Sequence, residues 1–204
     1  MLIEQPPFLY RVLFYGSHWR FKTKEKVVYL TFDDGPIPEI TPWVLELLEK
    51  YNIKATFFCV GDNVRKYPEI YQQVIDKGHV VGNHTFHHLQ GLKTTSRAYL
   101  KDVKMASTLI KSKLFRPPHG HMRLPQFWFV KRQFKVIMWD VVTRDYSRLM
   151  TSEQVFENVK NHTRNGSIIV FHDSIKAGDR MKEALPKSIE WLLEQGYTFK
   201  LIEE

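Results

Sequence analysis

Seven short apolar runs recur along the chain, at 27–32, 55–60, 79–82, 114–116, 135–141, 167–171 and 197–202. Amphipathic segments separate them. Runs this short, and nearly continuous in hydrophobicity, suit strands covered on both faces. Strands joined through helices run parallel with right-handed crossovers. Seven units therefore predict an α/β fold, a parallel (β/α) barrel one unit short of the common eight, in preference to an open sheet. Helices are expected from Thr41 as cap with Pro42 at the first position, over Pro68–Lys77 with a stop at Gly78, over Ser96–Lys113 and over Ser152–Thr163. Pro186 should interrupt or start the last one, which packs Ile189, Leu192 and Leu193.

A chain of 204 residues suffices for one core and one domain. Residues 1–25 fit no strand–helix unit and are rich in aromatics (Phe8, Tyr10, Phe14, Tyr15, Trp19, Phe21). They are expected to pack over an end of the barrel formed by 26–204. The net charge is +8, but the basic residues are dispersed without a long block, which predicts a solvated surface and no nucleic-acid partner. Cys59 is the single cysteine, placed as a small buried hydrophobe, so no intrachain disulfide forms. No run approaches the roughly 20 apolar residues of a membrane helix. With no basic n-region and long h-region at the N-terminus, the default compartment is the cytoplasm. Oligomeric state has no signature here.

The first run ends in Asp33-Asp34-Gly35-Pro36. Adjacent carboxylates at the end of a buried strand raise each other's pKa, and a cation would relieve the repulsion. His84 and His88, four residues apart after the third run, are candidate partners. Imidazoles with a carboxylate suit zinc or a similar divalent ion. One aspartate would then hold the metal while the other moves a proton. Further polar groups follow other runs: Arg116-Pro117-Pro118-His119-Gly120, Asp145-Tyr146 and His172-Asp173. In parallel barrels strand C-termini share one rim, so these groups are expected to meet.

TFDDG at 31–35 followed by HTxxH at 84–88 resembles the first two motifs of the NodB-type polysaccharide deacetylases (carbohydrate esterase family four). The similarity runs over about 26–203 and implies a distorted seven-stranded barrel. It further implies that Asp33 is the catalytic base and that Asp34, His84 and His88 bind one divalent ion, zinc first, with cobalt or nickel fitting the same ligands. Three protein ligands leave positions for water and the substrate oxygen. Arg116 matches the arginine that pairs with the base. His119 stands where the family has tyrosine and retains the backbone N–H that serves the oxyanion. His172 matches the general acid and Asp145 the carboxylate that holds it. Val142 and Tyr146 replace the family's usual aspartate and tryptophan, which bears on substrate choice. Thr85 would steady the ligand turn or a bound anion.

The expected activity is removal of N-acetyl groups from an amino sugar or its polymer, in an open, shallow groove. The alternatives are hydrolysis of another linear amide or an O-acetyl ester on the same fold, and a catalytically silent metal- or glycan-binding module.

Overall fold

The computed structural model describes residues 4–204. The elements in chain order are α1 (Phe8–Leu13), β1 (Val27–Asp33), α2 (Thr41–Lys50), β2 (Thr56–Cys59), α3 (Gly61–Lys66), α4 (Pro68–Asp76), β3 (Val80–Asn83) and α5 (Ser96–Ala106). There follow β4 (Leu114–Phe115), α6 (Leu124–Lys131), β5 (Lys135–Val136), β6 (Val141–Val142), α7 (Ser152–His162), β7 (Ser167–His172), α8 (Gly178–Glu194) and β8 (Thr198–Phe199). All strand pairs are parallel, in the order β5-β4-β3-β2-β1-β7-β6, with β8 on β1. The fold is a distorted seven-stranded (β/α) barrel, because β5 and β6 are two halves of one predicted strand.

That split corrects the sequence reading of a continuous strand over 135–141. The first half pairs with β4 and the second with β7, so one segment closes the ring by changing partner midway. Asp140 sits at the changeover, buried, bound by Arg11, Arg164 and Ser167. Residues 198–202 take the edge of β1 opposite β7, below β2: Val28 aligns with both Ser167 and Phe199.

Three helix expectations also change. Thr41 is not the cap of α2, since Ile40 holds that position and the Thr41 hydroxyl is engaged elsewhere. Helix α5 ends at Ala106, not Lys113; Ser107 Oγ is held by Asn83 Nδ2 at 3.0 Å and turns back to Val103 O. Pro186 lies inside α8. An interior proline costs about 3 kcal/mol. Burying Met181, Leu185, Ile189 and Leu192 on this helix returns about 1.5–3 kcal/mol each, which decides for continuity. Helix α7 follows expectation, with a Thr151–Gln154 capping box.

The main core lies between β1, β2, β7 and helices α2, α4, α7 and α8. A second cluster joins Phe14 and Trp19 of the N-terminal segment to Phe115, Phe127 and Met138. His18 exchanges backbone hydrogen bonds with Val136 and Met138, and Phe21 N–H donates to Gly166 O. The segment thus lies along the seam where the barrel changes partner. No helix among the described residues is long and apolar enough to cross a membrane.

Candidate metal centre and active site

Strand register puts the polar motifs at one level. Asp33 aligns with His172 across β1 and β7, Cys59 with Asn83 across β2 and β3, and Asn83 with Phe115 across β3 and β4. Asp33, His84, Arg116 and His172 therefore all stand at strand C-termini on the same rim.

Arg116 is fully buried, an arrangement that survives only if every donor is satisfied. Its Nη1 donates to Asp33 Oδ1 at 2.6 Å and to Thr31 Oγ1 at 2.8 Å. Nε and Nη2 donate to the carbonyls of Ile137 and Met138, in the stretch where the β-ladder is broken. Its guanidinium carbon lies 4.1 Å from the Phe58 ring centroid. The arginine thereby fixes the Asp33 carboxylate by one oxygen, while Oδ2 stands 4.0 Å from His84 Nε2.

Asp34, His84 and His88 each offer one ligand atom within 4.8 Å of the others. His84 Nδ1 lies 2.8 Å from Arg116 O. A carbonyl only accepts, so Nδ1 carries the proton and the Nε2 lone pair faces the carboxylates. Burial brings the His84 pKa down to about 4, leaving a neutral imidazole at pH 7. Burial pushes Asp34 the other way, but the facing His88, with His172 and His84, outweighs it and holds the carboxyl well below the usual range. Asp34 Oδ1 is buried without a well-formed hydrogen bond, although His88 Nε2 lies 3.1 Å away. An anionic oxygen without a well-formed hydrogen bond, set beside the Nε2 atoms of His84 and His88, fits a divalent cation.

The loops carrying these groups are strained. Asp34, Thr85, His88, His119 and Arg144 all have positive φ, which is costly for a β-branched threonine. Thr85 is held from three sides: its N–H donates to Asn83 Oδ1, its carbonyl accepts from Gly61, and its hydroxyl accepts from Leu89 N–H at 3.3 Å. Asp102 accepts from the N–H groups of Phe86 and His87 and from His87 Nδ1. Asp173 secures the other side, accepting from Gly35 N–H at 3.0 Å and from the Thr41 hydroxyl at 2.6 Å. A Cβ on Gly35 would come within 1.9 Å of Asp173 Oδ2, so only glycine fits there.

Opposite Asp34, His172 is gripped by Asp145. Nδ1 lies 2.7 Å from Oδ1, and the His172 N–H donates to Oδ2 at 2.7 Å. Burial lowers the imidazole pKa, but the Asp145 carboxylate, aided by Asp34 and Asp33, overrides it and lifts the value to about 9. Tyr146 stands edge-on to His172, centroids 4.8 Å apart. His119 lies exposed on the far side, 4.8 Å from His88 between centroids. The N-terminal segment reaches both flanks: Glu4 pairs with Arg144 at 2.6 Å and the Tyr10 hydroxyl donates to Gly120 O at 2.8 Å.

All ten residues singled out from sequence thus lie around one rim. Asn83, Asp102, Thr31, Thr41 and Asp173 were given no site role from the sequence, though they hold the rim in shape. Two of them, Asn83 and Asp173, abut His84 and His172 in sequence, which was the available signal.

The family model for polysaccharide deacetylases matches residues 20–135. A peptidoglycan-N-acetylglucosamine deacetylase of Bacillus cereus is 32% identical over 194 residues, covering 91% of each chain. The peptidoglycan-N-acetylmuramic acid deacetylase PdaA of Bacillus subtilis is 31% identical, covering 93% of this chain and 75% of its own. The crystal structure of the Bc1960 peptidoglycan N-acetylglucosamine deacetylase superposes with a TM-score of 0.84 at 31% identity, over 97% of this chain and 95% of that one. With the family model matched over more than half its length and the barrel superposing on a relative's, the chain belongs to the polysaccharide deacetylase family, carbohydrate esterase family four.

Proposed function

We propose that this protein is a divalent-metal-dependent deacetylase that removes N-acetyl groups from the amino sugars of a peptidoglycan-type glycan and releases acetate. The observation that carries this reading is the Asp33–Arg116 pair facing the Asp34–His84–His88 cluster, with the Asp145-held His172 on the same rim. A divalent ion, zinc first with cobalt or nickel as substitutes, would polarise the acetamido carbonyl and acidify a water when held by Asp34, His84 and His88.

The chain's own groups supply the proton traffic. Asp33, held in place by Arg116, takes a proton from the attacking water. His172, protonated below about pH 9, gives one to the departing amine, which is too basic to leave as an anion. The His119 backbone is assigned to the developing oxyanion and Tyr146 to the sugar beside His172. Relatives named for N-acetylglucosamine and for N-acetylmuramic acid deacetylation support a glycan substrate.

Acetate release tests the reading. Metal-free protein, zinc- or cobalt-restored protein and Asp33→Asn are assayed on peptidoglycan fragments, chitooligosaccharides and O-acetylated xylan. Metal-restored release from an N-acetyl glycan, lost in Asp33→Asn, is expected. Release from acetylated xylan alone would replace the amide with an ester, and tight metal binding without release would favour a silent binding module.

A further inference from the structure

The positive charge is not evenly spread through the fold. Residues 86–139 contain eleven of the 30 basic residues and one of the 22 acidic residues, Asp102. This quarter of the chain carries +10, and the other 150 residues together carry −2. The lone acid is buried and bound to His87, and Arg116 is buried and paired with Asp33, so ten basic residues and no acid of this stretch remain for the surface.

The same part of the molecule exposes apolar side chains. Helix α6 is apolar on all sides: Phe127 and Val130 face the core, while Leu124, Trp128 (53% exposed) and Phe129 (51%) face outward. A helix that is apolar all round is normally covered on all sides. Next to it, α1 buries none of its residues, and Phe8 (78%), Leu9 (79%), Val12 and Leu13 are exposed. Phe14 packs edge-on against Phe127 and so joins the two helices. Lys131 clips them again, its Nζ lying 5.6 Å from the Tyr15 ring and 5.2 Å from the Trp128 ring, and donating to Tyr15 O. On the other flank of α6, a trough of about 920 Å³ runs against α5, and neither Asp33 nor any histidine lines it. Its floor includes Val103, Ile110 and Phe129, and its rim carries Arg97, Lys101, Lys104, Lys111 and Lys113. The one acid there, Glu204, accepts a hydrogen bond from Lys113 N–H.

We infer that the face formed by α1, α6 and the basic edge of α5 docks on an anionic lipid bilayer. Charge complementarity selects an anionic surface, since each lysine or arginine near it adds attraction. The exposed tryptophan, phenylalanines and leucines select a surface with hydrocarbon beneath the charge, which a soluble polyanion lacks. Aromatic rings beside lysine are suited to the headgroup boundary, with the ring below and the ammonium in water. Helix α6 begins four residues after Gly120, so the docked face borders the His119 side of the rim. The bilayer would then hold the site at a fixed height for a glycan lying close to the membrane.

Vesicle flotation with the full chain tests this. Vesicles of phosphatidylglycerol and phosphatidylcholine in equal parts are compared with phosphatidylcholine alone, at about 0.05 and about 0.5 M salt. Binding to the anionic vesicles at low salt, weakened at high salt, is expected. Trp128→Ser with Phe129→Ser, and separately Lys101→Glu with Lys104→Glu, should each weaken partition by about tenfold or more. Neither pair touches the catalytic rim, so unchanged acetate release and circular dichroism verify folding. No binding to anionic vesicles would overturn the proposal. So would binding that survives the Trp128/Phe129 change and is displaced equally by polyphosphate, which would mark a polyanion site. Loss of self-association in that variant, without any vesicle binding, would mark the face as a contact with a second copy.

Discussion

Two histidine–aspartate pairs in this molecule are built alike and do different work. In each, the carboxylate accepts from the imidazole Nδ1 and from the backbone N–H of the same histidine: Asp145 for His172, and Asp102 for His87. Nδ1–carboxylate distances are 2.7 and 2.6 Å, and both carboxylates are buried. The surroundings differ. The His172 side chain is 14% exposed and its charge is felt by Asp34 and Asp33, whereas His87 is 53% exposed. Asp102 spends its second oxygen partly on Phe86 N–H, tying down the turn that carries the candidate ligands His84 and His88. In the proposed reaction one pair prepares a proton donor, while the other braces a loop. Geometry within a pair does not assign its role; what the free Nε2 faces does.

The bracing role of His87 can be tested against its neighbour His88. His88→Ala removes a ligand and should weaken zinc binding by more than the roughly 10–100-fold typical of outer groups, whereas His87→Ala should stay within about threefold. Isothermal titration decides this, and equal losses would put His87 in the ligand set.

Changing the carboxylates should separate chemistry from bracing. Asp145→Asn leaves His172 without its counter-charge and should cut kcat by about 100-fold or more, with a small change in KM. Asp102→Asn should keep the kcat pH profile but lose about 1–3 kcal/mol of stability, read from chemical unfolding, because three donors lose a charged acceptor.

A smaller effect is the pH dependence of stability. His172 is lifted from its ordinary 6.5 to about 9, so the folded state binds its proton more tightly than the unfolded state. The resulting stabilisation is complete below about pH 6.5 and is lost as pH rises through about 9. Nuclear magnetic resonance titration of metal-free protein should show His172 titrating near 9, and at or below its ordinary value in Asp145→Asn. Smallest of all, Tyr146→Leu removes an edge-on ring contact worth about 0.5–1.5 kcal/mol and should slow kcat only severalfold.

The barrel and its reactive end were readable because their signals are local. Strands β1 and β7 are largely apolar, and each ends in the residues to which the proposed chemistry is assigned. The seam was hidden because 136–139 is an unbroken apolar run, and only Asp140, gripped by Arg11 and Arg164, shows where the chain changes partner. Thr41 carries a cap-like signature, yet its hydroxyl serves Asp173, 132 positions away. Asp102 sits on an amphipathic helix where a charge ordinarily faces water, and nothing local shows that it points inward at the ligand turn. The bracing groups act across long stretches of chain, so sequence spacing does not announce them.

Acetate release by His172→Ala and His87→Ala, measured side by side on one N-acetyl glycan with saturating zinc or cobalt, tests the account most directly. The expected result is a loss in kcat of about 10²–10⁴-fold for His172→Ala and of no more than a few-fold for His87→Ala. Equal activities, or a greater loss in His87→Ala with its fold intact, would contradict the assignment of His172 as the acid and the reading of the rim built on it.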